Sequence, residues 1–167
     1  MDESLINCKV ENFTRARIST RGVCNLVQEA GLRVQRELPT SSTKAWQKQY
    51  RDGCIFVFFV GKVESRALNN KFRNQDTATD VISFEYEDSL NDPEHRVGEI
   101  VVCPILIKKQ AKVRGVRFED ELAHALIHGT MHVFGHHHEK NEKETRWVHN
   151  QEDFILHKLG YKTAHTP

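Results

Sequence analysis

The sequence runs to 167 residues, 38% hydrophobic and 28% charged, enough for one domain with a hydrophobic core and short for two. Its longest apolar run, Ile55 to Val60, is far too short to cross a bilayer, and Met1-Asp2-Glu3-Ser4 lacks the basic-then-apolar plan of a secretory signal. A formal net charge of +1 excludes recruitment of a partner by bulk charge.

Cys8, Cys24, Cys54 and Cys103 form no C-x-x-C pair. They read as reduced thiols of a cytoplasmic protein rather than a disulfide framework. One basic stretch stands out: Lys108, Lys109, Lys112, Arg114 and Arg117, bounded by Glu119, Asp120 and Glu121. Such a run is usually a solvated helix face, and it gains meaning only beside a site that handles phosphates.

In chain order, Leu5 to Glu11 alternates weakly and suggests a first strand. Thr14 to Ala30 carries Ile18, Val23, Leu26, Val27 and Ala30 at helical spacing, with Gly31 as its stop. Residues 39–52 mix Thr, Ser, Lys and Gln without period and read as a loop. Cys54 to Val63 is a strand apolar enough to be covered on both faces. Gly61 to Lys71 reads as a helix with Val63, Ala67 and Leu68 inward. Asp80 to Tyr86 and Val97 to Val102 are further strands, and Pro104 opens a helix reaching about Val113. Two more helices follow, about Phe118 to Phe134 and about Asn141 to Leu159, the latter with Trp147, Phe154, Ile155 and Leu159 at helical intervals and Gly160 at its end. No repeat is visible, so residues 1–167 are expected to form a single α+β domain. Its mixed sheet has about four strands, packed by about five helices.

The chemistry is concentrated near the last third. Six of the ten histidines lie between His124 and His138. On a helix His124, His128 and His132 fall at i, i+4 and i+8, a ladder along one face. Gly135 can end that helix through a positive φ, and His138 then returns toward the same point. Two imidazoles a turn apart with a third after the turn give a trigonal base for a zinc-like ion. The fourth position stays open to water, whose pKa such an ion lowers toward ~7. A solvated His-rich tract would not explain the helix-break-return order, nor Leu126, Ile127, Met131, Val133 and Phe134 among the histidines. His124 reads equally as a partner behind the ligands or as a satisfied core residue. Nickel, copper, cobalt or iron would also suit three imidazoles.

The spacing H-x-x-x-H-x-x-G-x-x-H is that of the metzincin proteases, whose first histidine is followed by a glutamate base. Here that position is Gly129, and the only methionines are Met1 and Met131, so no downstream Met-turn exists. The sequence from His128 to His138 instead resembles the YbeY family, which has glycine at that position. A second motif of that family is matched by Asn69-Asn70-Lys71-Phe72-Arg73 followed by Thr79-Asp80-Val81-Ile82-Ser83-Phe84, and a third by Val97-Gly98-Glu99-Ile100. The likeness extends from about Cys54 to Tyr161. It departs at His136-His137, where the family usually has Tyr-Asp, at Glu85, where proline is common, and over residues 38–53, which have no counterpart.

What the resemblance implies is a single-strand-specific, zinc-dependent endoribonuclease of rRNA maturation, with 16S rRNA 3′ end processing and ribosome quality control as its setting. Its metal ligands fall on His128, His132 and His138, and its functional arginine on Arg73, so that Arg73 and His128 are the expected catalytic residues. A guanidinium suits that role because it offers a fixed fork of donors to a phosphodiester at any cellular pH. The implied partners are single-stranded RNA or rRNA precursor and the ribosome or its small-subunit assembly factors. Asp80, Glu99, Glu121 and His124 are candidates for a general base. Two alternatives stand: an unusual metallopeptidase, and a non-catalytic ribosome-assembly RNA-binding protein whose structural metal takes His136 or His137 as fourth ligand.

Overall fold

The computed structural model describes residues 6–37, 50–136 and 141–163. In chain order these form β1 (Asn7–Asn12), α1 (Thr20–Glu37), β2 (Cys54–Phe59), α2 (Lys62–Arg73), β3 (Val81–Glu85), a 3-10 turn at Ser89–Asn91, β4 (Arg96–Val102), α3 (Pro104–Arg114), α4 (Phe118–Val133) and α5 (Glu142–Lys158). The sheet order is β1-β2-β4-β3. β1 and β4 both run parallel to β2, and β3 closes the sheet antiparallel to β4. The expected α+β class, mixed four-stranded sheet and five helices are therefore all present.

β2 lies in the interior of the sheet, which explains its uninterrupted CIFVFF run: five of its six residues are buried. One large core joins Val27, Ala30 and Val34 of α1, Ile55, Val57 and Phe59 of β2, Ile100 and Val102 of β4, and Leu126, Ile127 and Met131 of α4. Val148, Ile155 and Leu156 bring α5 into the same core. A smaller cluster of Val60, Ile82 and Val101, with Leu68 and Phe84 against it, occupies a separate position.

Several expectations need correction. The first helix starts at Thr20 rather than Thr14 and runs through Gly31 to Glu37. Gly31 does not stop it because the apolar stripe continues to the buried Val34, and Ile6 and Phe134 pack closely over the glycine. In α2, Val63 is 78% exposed and Ala67 is exposed too. The fully buried residues are Ser65 and Asn69, held by hydrogen bonds to backbone, while Leu68 packs on the smaller cluster as expected. Ser65 Oγ donates to Thr79 O (2.6 Å) and accepts from Thr79 N (2.9 Å), and Asn69 Nδ2 donates to Thr77 O (2.9 Å). In α5, Phe154 faces out with the Arg33 guanidinium 3.9 Å from its ring centroid; Val148, Gln151, Glu152, Ile155 and Leu156 are the buried positions. Most of the stretch expected as a loop lies outside the described residues. Tyr50, at its end, is buried, with its hydroxyl 3.2 Å from both Glu85 Oε1 and Val133 O.

The start of α4 is fixed by an acid in its first turn, where the helix dipole favours negative charge. Asp120 is 1% exposed and takes both Nε (2.9 Å) and Nη2 (2.8 Å) of Arg117. It also accepts from Lys162 N (3.0 Å), tying the chain beyond α5 to α4. The Arg117 guanidinium, against the opposing effect of burial, holds the Asp120 carboxyl down at about 2. A depressed carboxyl pKa contributes stability above its unfolded value, and loses it as pH falls through the folded value. Wild type should therefore exceed Asp120→Asn in unfolding free energy by ~1–2 kcal/mol at neutral pH, discounted because Arg117 is exposed. Denaturant titrations should show that difference shrinking between about pH 4 and pH 2.

Candidate metal centre and cleft

α4 presents its histidines as the spacing requires. The His124 and His128 ring centroids are 6.4 Å apart, and those of His128 and His132 only 4.2 Å. The helix ends at Val133, one residue after His132. Gly135 has φ +83°, and the amides of Gly135 and His136 close on His132 O (2.9 Å) and Met131 O (3.0 Å). The His136 ring then packs on Trp147 at 4.8 Å. His137 and His138 lie outside the described residues. Among the described residues no group of three His, Cys, Asp or Glu side chains is clustered to hold a metal ion.

Two glycines let α4 lie against the β3–β4 hairpin. A Cβ on Gly129 would stand 2.8 Å from Ile100 Cγ2 and 3.0 Å from Ser83 Oγ. A Cβ on Gly98 would stand 2.4 Å from Val133 Cγ1 and 2.7 Å from Phe84 O. The glycine after His128 is thus a packing position, with no room for the side chain a protease would need there.

In front of the histidines opens a cleft of about 770 Å³. α4 contributes Glu121, His124, Ala125, His128 and His132; the β3 region contributes Thr79, Asp80, Val81 and Ser83; Arg114 lies at one side and Arg73 with Gln75 at another. Arg73 is the last residue of α2, which Asn74 ends in the left-handed conformation at φ 57°. The segment after it is held by the Ser65 and Asn69 hydrogen bonds, so a polar latch sets where Arg73 meets the cleft. Among the described residues no ion pair engages Arg73.

The four candidates for a general base separate. Asp80, Glu121 and His124 line the cleft, whereas Glu99 is not among its lining residues and pairs with Arg96. Glu121 lies 3.1 Å from Arg114 Nη1. Gln110, with its amide nitrogen turned toward the two carboxylates, donates to Asp80 Oδ2 (3.1 Å) and Glu121 Oε1 (3.0 Å). Of the basic stretch, Arg114 therefore reaches the cleft and Lys109 an adjoining depression, while Arg117 is committed to Asp120.

Sequence reading missed Glu152. It is 1% exposed and meets three imidazoles: His128 Nδ1 at 2.8 Å, His149 Nδ1 at 3.3 Å and His124 Nε2 at 3.6 Å. Burial pushes its pKa up, but the hydrogen bonds from His124 and His128 outweigh that and hold it well below the usual carboxylate range. The same contact raises the pKa of His124 against its own burial. The signal was present: an acid at position 152 interrupts the buried stripe Val148, Gln151, Ile155, Leu156 at helical spacing.

A family model described as endoribonuclease YbeY matches residues 18–160. The chain is 36% identical over 126 residues to the endoribonuclease YbeY of Paraburkholderia phymatum, covering 74% of this chain and 80% of that protein. It is 34% identical over 144 residues to that of Cupriavidus pinatubonensis, covering 84% and 69%. A Thermotoga maritima protein solved in solution shares the fold with a TM-score of 0.52, at 23% identity over 95% of this chain and 97% of that one.

Proposed function

The chain belongs to the endoribonuclease YbeY family, and from that premise we propose that it is a metal-dependent endoribonuclease acting on single-stranded RNA. One observation carries the reading beyond the family name. Arg73, from the end of α2, and the His128–His132 pair, from α4, line one cleft.

The donor set suits a zinc-like ion. An ionised carboxylate only accepts, so the His128 Nδ1 at 2.8 Å from Glu152 carries the proton, and its Nε2 keeps the lone pair a metal needs. His128 and His132 would hold the ion, with His138 as the third ligand by its place in the sequence. When bound, the ion supplies Lewis-acid polarisation of a phosphoryl oxygen and a water of lowered pKa. Arg73 grips the phosphodiester through its fixed fork and opposes charge developing on the phosphoryl oxygens. Arg114 adds positive potential, tempered by Glu121. Asp80 and His124 are the cleft groups we retain for proton transfer.

We place the activity in the cytoplasm, in rRNA maturation that includes 16S rRNA 3′ end processing and ribosome quality control, with rRNA precursor and the small-subunit assembly machinery as partners. We also take residues 1–167 as one domain. No helix among the described residues is long and apolar enough to cross a membrane. The metallopeptidase reading is disfavoured by Gly129, whose site is closed by Ile100 and Ser83. His136, a candidate fourth ligand of the structural-metal reading, packs its ring on Trp147.

The test is incubation of zinc-loaded protein with a single-stranded rRNA precursor and, separately, with casein. Arg73→Ala should lower RNA cleavage about 10²–10³-fold and His128→Ala should abolish it, with casein intact throughout. RNA cleavage surviving both substitutions, or casein cleavage lost in His128→Ala, would overturn the proposal.

A further inference from the structure

We propose that Glu152 is the positioning residue of the metal-binding histidines: its buried carboxylate fixes His128 in the tautomer whose Nε2 is open to the ion. The inference rests on the metal reading of His128 given above.

Burial is the first argument. A carboxylate placed on the apolar face of α5, at 1% exposure, loses solvation worth several kcal/mol unless partners replace it. Packing alone would be served as well by an apolar residue between Val148 and Ile155. The partners are the second argument. Three imidazoles meet this carboxylate, and two of them, His124 and His128, belong to the α4 ladder. Oε1 takes the shortest contact, 2.8 Å to His128 Nδ1, while Oε2 lies toward His124 and His149.

The third argument is chemical. A neutral imidazole has one proton for two nitrogens, and in water the side chain favours Nε2–H, the form in which Nε2 cannot bind a metal. The acceptor at Nδ1 reverses that preference before any ion arrives. It also restrains ring rotation and raises the donor strength of Nε2, as carboxylates behind metal-bound histidines do. A carboxylate serving only to hold α5 on α4 would alter stability but would leave metal affinity unchanged in any variant that folds.

The experiment uses the full chain as wild type, Glu152→Gln and His128→Ala. Zinc affinity is measured by competition with a chromophoric chelator, and the His128 tautomer of the metal-free protein by imidazole 15N shifts. Wild type should show His128 protonated at Nδ1. Glu152→Gln, nearly isosteric, should lose about 10–100-fold in zinc affinity while its thermal midpoint certifies a folded chain. Wild-type affinity in folded Glu152→Gln, or Nε2–H on wild-type His128, overturns the positioning role; the second readout needs no variant to fold. If His128→Ala loses zinc and Glu152→Gln does not, this inference alone falls. If His128→Ala binds zinc as wild type does, the metal reading falls and takes the inference with it.

Discussion

Gly98→Ala is expected to destabilise the fold by about 3–5 kcal/mol, near the upper end for a single methyl. The added carbon would stand 2.4 Å from Val133 Cγ1 and 2.7 Å from Phe84 O. Val133 is fully buried at the end of α4, so it has nowhere to rotate. Phe84 O belongs to the strand paired with β4, in register with Glu99 beside Gly98. Moving it means opening the hairpin. Chemical denaturation of the metal-free protein gives the measurement, and a loss under about 1 kcal/mol would show that α4 can lift off the hairpin more easily than this packing implies.

The second large effect concerns Gly129→Glu, which writes the metzincin base into the chain. The expected product is a protein destabilised by more than about 4 kcal/mol, with no casein cleavage gained. Even Gly129→Ala should cost about 1–3 kcal/mol, because the Cβ meets Ile100 Cγ2 at 2.8 Å and Ser83 Oγ at 3.0 Å. Ile100 is β-branched and buried at 0%, so relief by rotamer change is closed to it. A well-folded Gly129→Glu protein with peptidase activity would restore the metalloprotease reading. Together the two glycines state one design: the helix that carries the histidine ladder lies as near the β3–β4 hairpin as backbones allow.

What the sequence revealed follows from which forces have a period. The ladder His124-His128-His132 and the break at Gly135 were legible because helical spacing and positive φ leave local signatures. β2 was legible because burial on both faces demands an unbroken apolar run. The inward face of α2 was not, since Ser65 and Asn69 occupy it through hydrogen bonds to Thr77 and Thr79, and polar residues in buried positions look like surface. Tyr50 sits in a stretch without period; its burial comes from Glu85, Val133 and the Phe134 ring, 4.8 Å from its own. Glu152 was the costly omission. An acid inside an apolar stripe is a buried carboxylate in need of partners, and the cluster of histidines upstream could have supplied them.

The contact between Glu152 and His128 spans 24 residues and two helices. The contact exists only once α4 and α5 are packed together, so it is a product of tertiary structure and not of α4 alone. Until α5 docks, the His128 ring has no carboxylate behind it and is free to exchange its proton between nitrogens. If His128 holds a metal ion as proposed, a chain with α5 undocked would hold it poorly. On the proposed reading, competence for cleavage then depends on the docking of a helix that contributes no ligand of its own.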